Sequence, residues 1–284
     1  MIYFITGTTA SGKTSLAHQF ALENEMKVIS LDSMAVYRGI DILSDKPDSK
    51  MQQEVQYFGI DIVTQDVNFS VFDYIKYLAD MNLDKASYEE DIIAVGGTGL
   101  YFNAIVNSYK LKKTNKEYRE HLETLTLKDL KDMYLRKFPN DEDIDIDTNN
   151  KRRLIRTLES NNEEALEEII NFNIPKDKIG IFWDNPDIKE KISYRTHKMV
   201  NMGLVEEVTN LINPSRTIQQ AIGYSEALSG KNEEEIINNI NLKTMRLVKK
   251  QKTWFKKIDN ILYIETNDSA NIEKNMKDII HGKC

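Results

Sequence analysis

Short apolar runs closed by polar or glycine-rich punctuation recur through the first third of the chain. Ile2–Thr6, Lys27–Leu31 and Asp91–Val95 are each too short for a typical helix and too apolar for an exposed loop, so they are predicted as buried strands. Between them the apolar spacing widens to a helical period. Leu16, Ala17, Phe20 and Ala21 predict a helix over Lys13–Glu25, and similar spacing predicts helices over Phe72–Met81 and Leu100–Val106. Strand alternating with helix implies a parallel sheet covered on both faces. In such sheets ligands sit beyond the carboxyl ends of the strands. Three polar segments fall there: Gly7–Thr14, Asp32-Ser33 and Gly96-Gly97-Thr98.

From Tyr109 to about Pro175 the pattern becomes charged, helical and poor in strand signals, with acidic loop material at Pro139–Asp147. This stretch is expected to be a mainly helical insertion over 109–175, dividing the core into 1–108 and 176–284. The last part reads as helices over Lys189–Asn201, Leu204–Ile212 and Glu233–Lys257, with one strand at Ile261–Ile264. Met199 and Met202 are expected in helix core, and Ile179–Trp183 as an element buried against the insertion. Repeats and low-complexity linkers are not found.

Composition narrows the class. The chain has 284 residues, 40% hydrophobic and 29% charged, as in a globular enzyme. Its one cysteine, Cys284, excludes a disulfide framework or a cysteine-rich zinc site and points to a reducing cytoplasm. The four histidines have no metal-ligand spacing. The start lacks the pattern of a signal peptide, and no apolar stretch approaches the ~20 residues that span a bilayer.

Gly7-Thr8-Thr9-Ala10-Ser11-Gly12-Lys13-Thr14 follows a strand, opens a helix and fits the Gly-x4-Gly-Lys-Thr phosphate loop. Its glycines let consecutive N–H groups converge on an anion, and the helix N-terminus adds partial positive charge. Lys13 neutralises phosphate oxygens and Thr14 can ligate Mg²⁺. The motif requires a diphosphate or polyphosphate without naming it. Asp32 ends the second strand, where a carboxylate can serve a metal, accept a substrate proton or cap a turn. The third strand carries no acid at its end, which favours Asp32 as the site carboxylate over a turn cap and speaks against an ordinary ATPase. Thr98 in Gly96–Tyr101 can reach a base edge or phosphate, or cap a helix.

Net charge is −7, which alone argues against a nucleic-acid partner. Distribution changes this. Acidic residues cluster at Asp141–Asp147, Glu163–Glu168 and Glu233–Glu235, whereas Lys151, Arg152, Arg153 and Arg156 form one basic patch. Lys243–Lys257 holds seven cations and no acid, with Trp254 and Phe255 among them, which suits phosphates and unpaired bases. A solvated helix face is the bland alternative.

In number and order these motifs resemble the tRNA dimethylallyltransferase (tRNA isopentenyltransferase) family of bacterial type. The matching residues are Gly7–Thr14, Asp32-Ser33, Val36–Gly39, Asp41-Ile42, Lys46-Pro47, Asp61-Ile62, Phe69-Ser70 and Val95–Tyr101. Asn149–Arg153, Arg156, Leu158-Glu159, Met202–Leu204, Gln220–Tyr224 and Lys249–Phe255 follow. The resemblance implies a P-loop NTPase-like α/β core with a helical insertion that contacts tRNA. It also implies transfer of a dimethylallyl group from dimethylallyl diphosphate to the exocyclic amine of the adenosine 3′ of the anticodon, with Mg²⁺ assisting, by a cytoplasmic monomer.

By resemblance, Asp32 is the general base, with Thr98 beside it, and Gly7, Thr8, Thr9, Ala10, Ser11, Gly12, Lys13 and Thr14 bind the diphosphate. Ser33, Met34, Ala35, Arg152, Arg153, Arg156, Gln220, Lys249, Lys250 and Trp254 fall on the tRNA side. Gln220 stands where some members carry a diphosphate-binding arginine, and Arg216 is the expected substitute. Three alternatives stay open on the residues alone: a small-molecule P-loop kinase, a nucleotide-gated nucleic-acid binder, and prenylation of free adenosine phosphates.

Overall fold

The computed structural model describes residues 1–107, 111–114, 116–139, 147–162, 166–175, 180–259 and 261–282. Most of the acidic run Asp141–Asp147, together with Glu163–Ala165 and Cys284, lies outside them. Two compact units are formed, Met1–Ser108 with Asn173–Cys284, and Tyr109–Phe172.

The first unit is built on a six-stranded sheet. Its strands are β1 (Ile2–Gly7), β2 (Lys27–Leu31), β3 (Tyr57–Phe58), β4 (Ile92–Gly96), β7 (Gly180–Asp184) and β8 (Ile261–Glu265). Their order is β3-β2-β4-β1-β7-β8 and every pairing is parallel. β1, β4 and β7 are buried along their whole length, which explains why they read as unbroken apolar runs. One face is covered by α1 (Lys13–Glu23) and α15 (Ser269–Ile280), whose Leu16, Phe20, Ile272 and Met276 pack on Tyr3, Ile5, Val28 and Ile93. The other face carries an aromatic ladder. Phe4 meets Phe102 of α6 (Gly99–Val106) at 4.9 Å, and Phe255 of α14 (Glu233–Phe255) meets Phe102 at 5.5 Å and Phe182 at 4.8 Å.

The register places Gly7, Leu31, Gly96 and Asp184 at one edge of the sheet, because Thr6 pairs with Gly96 and Leu31 with Gly96 while Gly7 pairs with Trp183. Of the expected element Ile179–Trp183, Ile179 lies outside the described residues, and 180–184 is a buried central strand beside β1. A five-residue apolar run cannot be told from a buried helix segment by periodicity. One more helix, α10 (Ile188–Asn201), completes the site's walls and lies beside α14. After it, α11 (Leu204–Thr209) ends three residues before the expected Ile212. Met199 is buried as expected, but Met202 is 58% exposed.

The second unit holds α7 (Lys116–Thr124), α8 (Leu127–Lys137) and α9 (Lys151–Ser160), packed through Leu122, Leu130, Tyr134, Leu154 and Leu158. It also holds strands, contrary to expectation. β5 (Leu111–Thr114) pairs antiparallel with β6 (Leu166–Ile170), with Lys113 opposite Glu168. Opposite charges facing across two strands stabilise the pair but hide it from an apolar pattern.

Candidate active site

The phosphate loop joins β1 to α1. Gly12 has φ of 100°, a left-handed conformation that a side chain would strain, and an added Cβ would also sit 3.5 Å from the Trp183 ring. Thr8 N–H donates to Trp183 O at 3.3 Å and Ser11 N–H to Thr8 O at 3.2 Å, fixing the loop on β7. Lys13 is buried, and its ammonium donates to Thr8 O at 3.1 Å. Burial pushes its pKa down to about 8, aided by Arg195 and opposed by the carboxylates of Asp32 and Asp45.

Two neighbouring loops close on this one. Asp32, just past β2, accepts from Met34 N–H at 2.8 Å through Oδ1. Thr98 caps α6, gives its N–H to Leu31 O at 3.2 Å and accepts from Ser33 N–H at 3.3 Å. The Asp32 loop and the Thr98 loop are therefore tied directly. Nearby, Tyr74 and Tyr101 stack at 4.0 Å, and Tyr74 donates to Ser30 O at 2.5 Å. Burial raises both phenols' pKa values, with the Asp32 charge adding to the effect, so the rings stay neutral.

Two cavities of the first unit share Thr9, Lys13, Asp32 and Arg195 as lining. The first, about 450 Å³, adds Ser33, Met34, Thr98, Lys250 and Trp254 to apolar walls from Leu43, Ile222 and Ile240. Trp254 lies so near the chain that a Cβ on Gly99 would come within 2.7 Å of its ring. The second, about 1100 Å³, adds Ala10, Gly12, Thr14, Asp45 and Lys46. One end of this space is aromatic and apolar, the other ionic, and Lys13 and Asp32 stand where they meet.

Several expected residues lie elsewhere. Gly7, Thr8 and Ser11 line neither cavity, and the Thr8 and Ser11 side chains are fully buried. Ala35 is buried, and Gln220 and Lys249 are exposed but outside both linings. Arg216 is also outside them. It begins the short helix α12 (Arg216–Gln219), and its N–H donates to Asn68 Oδ1 at 3.2 Å. In the second unit Arg152 and Arg153 are exposed on α9, whereas Arg156 donates to Lys112 O at 3.0 Å. The basic run on α14 is partly spent within the fold: Lys243 pairs with Glu226, Lys252 with Asp184 at 2.7 Å, and Lys256 lies over the Tyr263 ring.

The arginine that does stand at the phosphate loop is Arg195 of α10. Its Nη1 donates to Thr9 Oγ1 at 2.6 Å, and its Nε lies 2.8 Å from Asp45 Oδ2. Gln251 of α14 was also missed. Its Oε1 accepts from Thr9 N–H at 3.0 Å and its Nε2 donates to Gly97 O at 3.0 Å, bracing the first loop against the third. A signal existed for Arg195: it falls on the apolar stripe of Ile188, Ile192, Thr196 and Met199, where an uncompensated charge has no reason to be.

Residues 35–258 match the IPP transferase family. The chain belongs to that family. It is 32% identical to the tRNA dimethylallyltransferase of Acetivibrio thermocellus, over 98% of this chain and 96% of that protein. It is 31% identical to the tRNA dimethylallyltransferase of Streptococcus agalactiae serotype III, over 98% and 97%. Its structure is similar to that of the tRNA isopentenylpyrophosphate transferase of Bacillus halodurans, with a TM-score of 0.69 at 30% identity, covering 99% of this chain and 96% of that one. A eukaryotic dimethylallyltransferase acting on tRNA shares the fold at 21% identity, with a TM-score of 0.78. The P-loop NTPase-like core and the prenyl-transferring class expected from the motifs both hold, and the kinase alternative falls away. Among the described residues no helix is long and apolar enough to cross a membrane.

Proposed function

We propose that this enzyme transfers a dimethylallyl group from dimethylallyl diphosphate to the exocyclic amine of the adenosine 3′ of the anticodon in tRNA. The observation that supports it most is the junction of the two cavities, where one carboxylate, Asp32, faces one buried ammonium, Lys13. The target adenine, extruded from its stack as base-modifying enzymes require, occupies the first cavity against Trp254. The diphosphate lies on the loop, between Lys13 and Arg195.

The amine nitrogen attacks C1 of the dimethylallyl group, the C1–O bond breaks, and pyrophosphate leaves with the bonding pair. The nitrogen's proton passes to Asp32, which Thr98 and Met34 hold through the shared turn. Lys13, Arg195 and the loop amides stabilise the charge gathering on the leaving group. Thr14 lines the second cavity beside Asp32, and so small an oxygen donor set suits Mg²⁺, which binds through few protein oxygens plus substrate phosphates. Held by Thr14, the ion supplies further charge neutralisation at the diphosphate. Exposed Arg152, Arg153, Lys249 and Lys250 contact tRNA phosphates. The enzyme acts in the cytoplasm as a monomer.

Labelled dimethylallyl diphosphate incubated with unmodified tRNA tests the reading. Label appearing at that adenosine, lost in Asp32→Asn, supports it. Label that reaches free adenosine phosphates but not tRNA overturns it.

A further inference from the structure

Asp45 has no part in the chemistry above, yet its place is tightly specified. It follows the short helix α2 (Asp41–Ser44) in a left-handed conformation, φ 51° and ψ 41°. Both flanks are held. Glu207 of α11 accepts from the N–H groups of Asp41, Ile42 and Leu43, each at 2.8 Å. Lys46, its side chain only 3% exposed, pairs with Asp41 at 2.7 Å and Asp61 at 2.5 Å and donates to Tyr37 O at 3.0 Å. A residue carried between two such anchors is placed by the fold.

Its carboxylate meets the Arg195 guanidinium through Nε, while Thr9 takes Nη1. A guanidinium has five N–H donors in one rigid plane. The hydrogen bond to Thr9 and the ion pair with Asp45 restrain that plane from two sides, and Asp45 does so without taking the Nε–H, which has no hydrogen-bond partner among the described residues. Thr9 alone would fix one point and let the plane turn about it.

We propose that Asp45 is the positioning residue of the diphosphate end, holding Arg195 in the orientation that serves the departing pyrophosphate. The inference rests on the diphosphate reading of the loop. It carries a built-in opposition. A carboxylate near the diphosphate weakens ground-state binding by like charge, and the same carboxylate aims a donor at charge that develops only later. Its removal therefore improves binding and harms turnover. A residue that merely supported the fold would harm both.

Prenyl transfer by the full chain is measured at saturating tRNA with varied dimethylallyl diphosphate, for wild type, Asp45→Asn and Asp45→Glu. Asparagine tolerates the left-handed conformation, so the first variant keeps its backbone. The expected result for Asp45→Asn is kcat about tenfold lower, because a tethered donor has lost its aim. KM for the donor falls about threefold, a small change because the carboxylate is half exposed. Asp45→Glu recovers part of kcat. Unchanged constants, or a KM that rises, overturn the proposal. A raised Mg²⁺ requirement without the opposed movement assigns Asp45 to the metal and also overturns it. Thermal protection by inorganic pyrophosphate is read in parallel and needs no prenyl transfer. Stronger protection of Asp45→Asn than of wild type supports the proposal and equal protection overturns it, even if wild type transfers no prenyl group and the functional reading itself fails.

Discussion

Lys13 should make the fold less stable while making the site work, and Lys13→Met separates the two effects. The ammonium is buried at the phosphate loop and its pKa falls from 10.5 to about 8, chiefly by desolvation. At about 1.4 kcal/mol per unit, the charged side chain costs roughly 3 kcal/mol of folding free energy at neutral pH. Methionine fills similar space without charge. It forfeits the bond to Thr8 O, worth about 1 kcal/mol, but that carbonyl still accepts from Ser11 N–H and is not orphaned. The net gain is about 2 kcal/mol, or about 4–8 °C in Tm for a unit of this size. The sign with pH is fixed. Between the folded pKa near 8 and the unfolded value of 10.5 the unfolded chain binds more protons. Wild-type stability therefore rises with pH through that window relative to the variant, and the gap closes near its top. Urea unfolding followed by tryptophan fluorescence reads this cleanly, because Trp183 and Trp254 both lie in the first unit. At pH 7 the variant should be more stable and blind to pyrophosphate. A variant less stable at pH 7, or a gap that does not narrow by pH 10.5, would refute the assignment of a desolvated ammonium.

The same pKa sets ligand affinity. A bound diphosphate favours the charged amine, so the dissociation constant of dimethylallyl diphosphate should be flat below pH 8 and weaken above it, reaching about 30-fold by pH ~9.5; isothermal titration that finds no proton uptake at pH 9 speaks against it. Asp32→Asn should lower turnover by about 10²–10⁴-fold with tRNA affinity nearly unchanged, and near-normal single-turnover rates would leave Asp32 as a turn cap only. Arg195→Ala should lower kcat by about 10²–10³-fold, whereas Arg216→Ala should leave it within twofold; kinetics that reverse that order restore Arg216 to the diphosphate. Removing Lys249 and Lys250 should flatten the log–log salt dependence of tRNA binding by roughly 0.7–0.9 per contact, while Lys252→Ala should act on stability instead, because it leaves the buried Asp184 carboxylate, 3% exposed, with the Tyr263 hydroxyl but without its cation. Binding isotherms across salt and a melting curve distinguish the two.

What the sequence made legible follows from how each element is stabilised. β1, β2 and β4 are buried runs ending in chemistry that has few other uses, so pattern and motif agreed. β7 has the same burial but ends in Asp184 rather than a known loop, and nothing local separates it from a helix segment. β5 and β6 carry lysines and glutamates, so their pairing depends on a partner more than fifty residues away. Arg195 and Gln251 act across 186 and 242 residues of chain, which no spacing rule reaches. The basic run on α14 was visible as charge, but its division between Lys252, tied to Asp184, and the exposed Lys249 and Lys250 is a property of packing.

The end of β4 explains why a phosphate loop here serves displacement at carbon. In a nucleotide-hydrolysing P-loop core, a carboxylate commonly holds the metal against the γ-phosphate. Here that place is physically closed. A Cβ on Gly96 would run into Leu31 O, and one on Gly97 into the Gln251 amide. Gln251 in turn spends both ends of its amide on Thr9 and Gly97. A side chain at Gly96 would collide with β2, and one at Gly97 would break the brace between the first and third loops. The sheet is left with Asp32 of the neighbouring strand, which opens on the apolar cavity as well as on the loop. A carboxylate with that double outlook is poorly placed to order water on a terminal phosphate and well placed to take a proton from an amine attacking a carbon between the two.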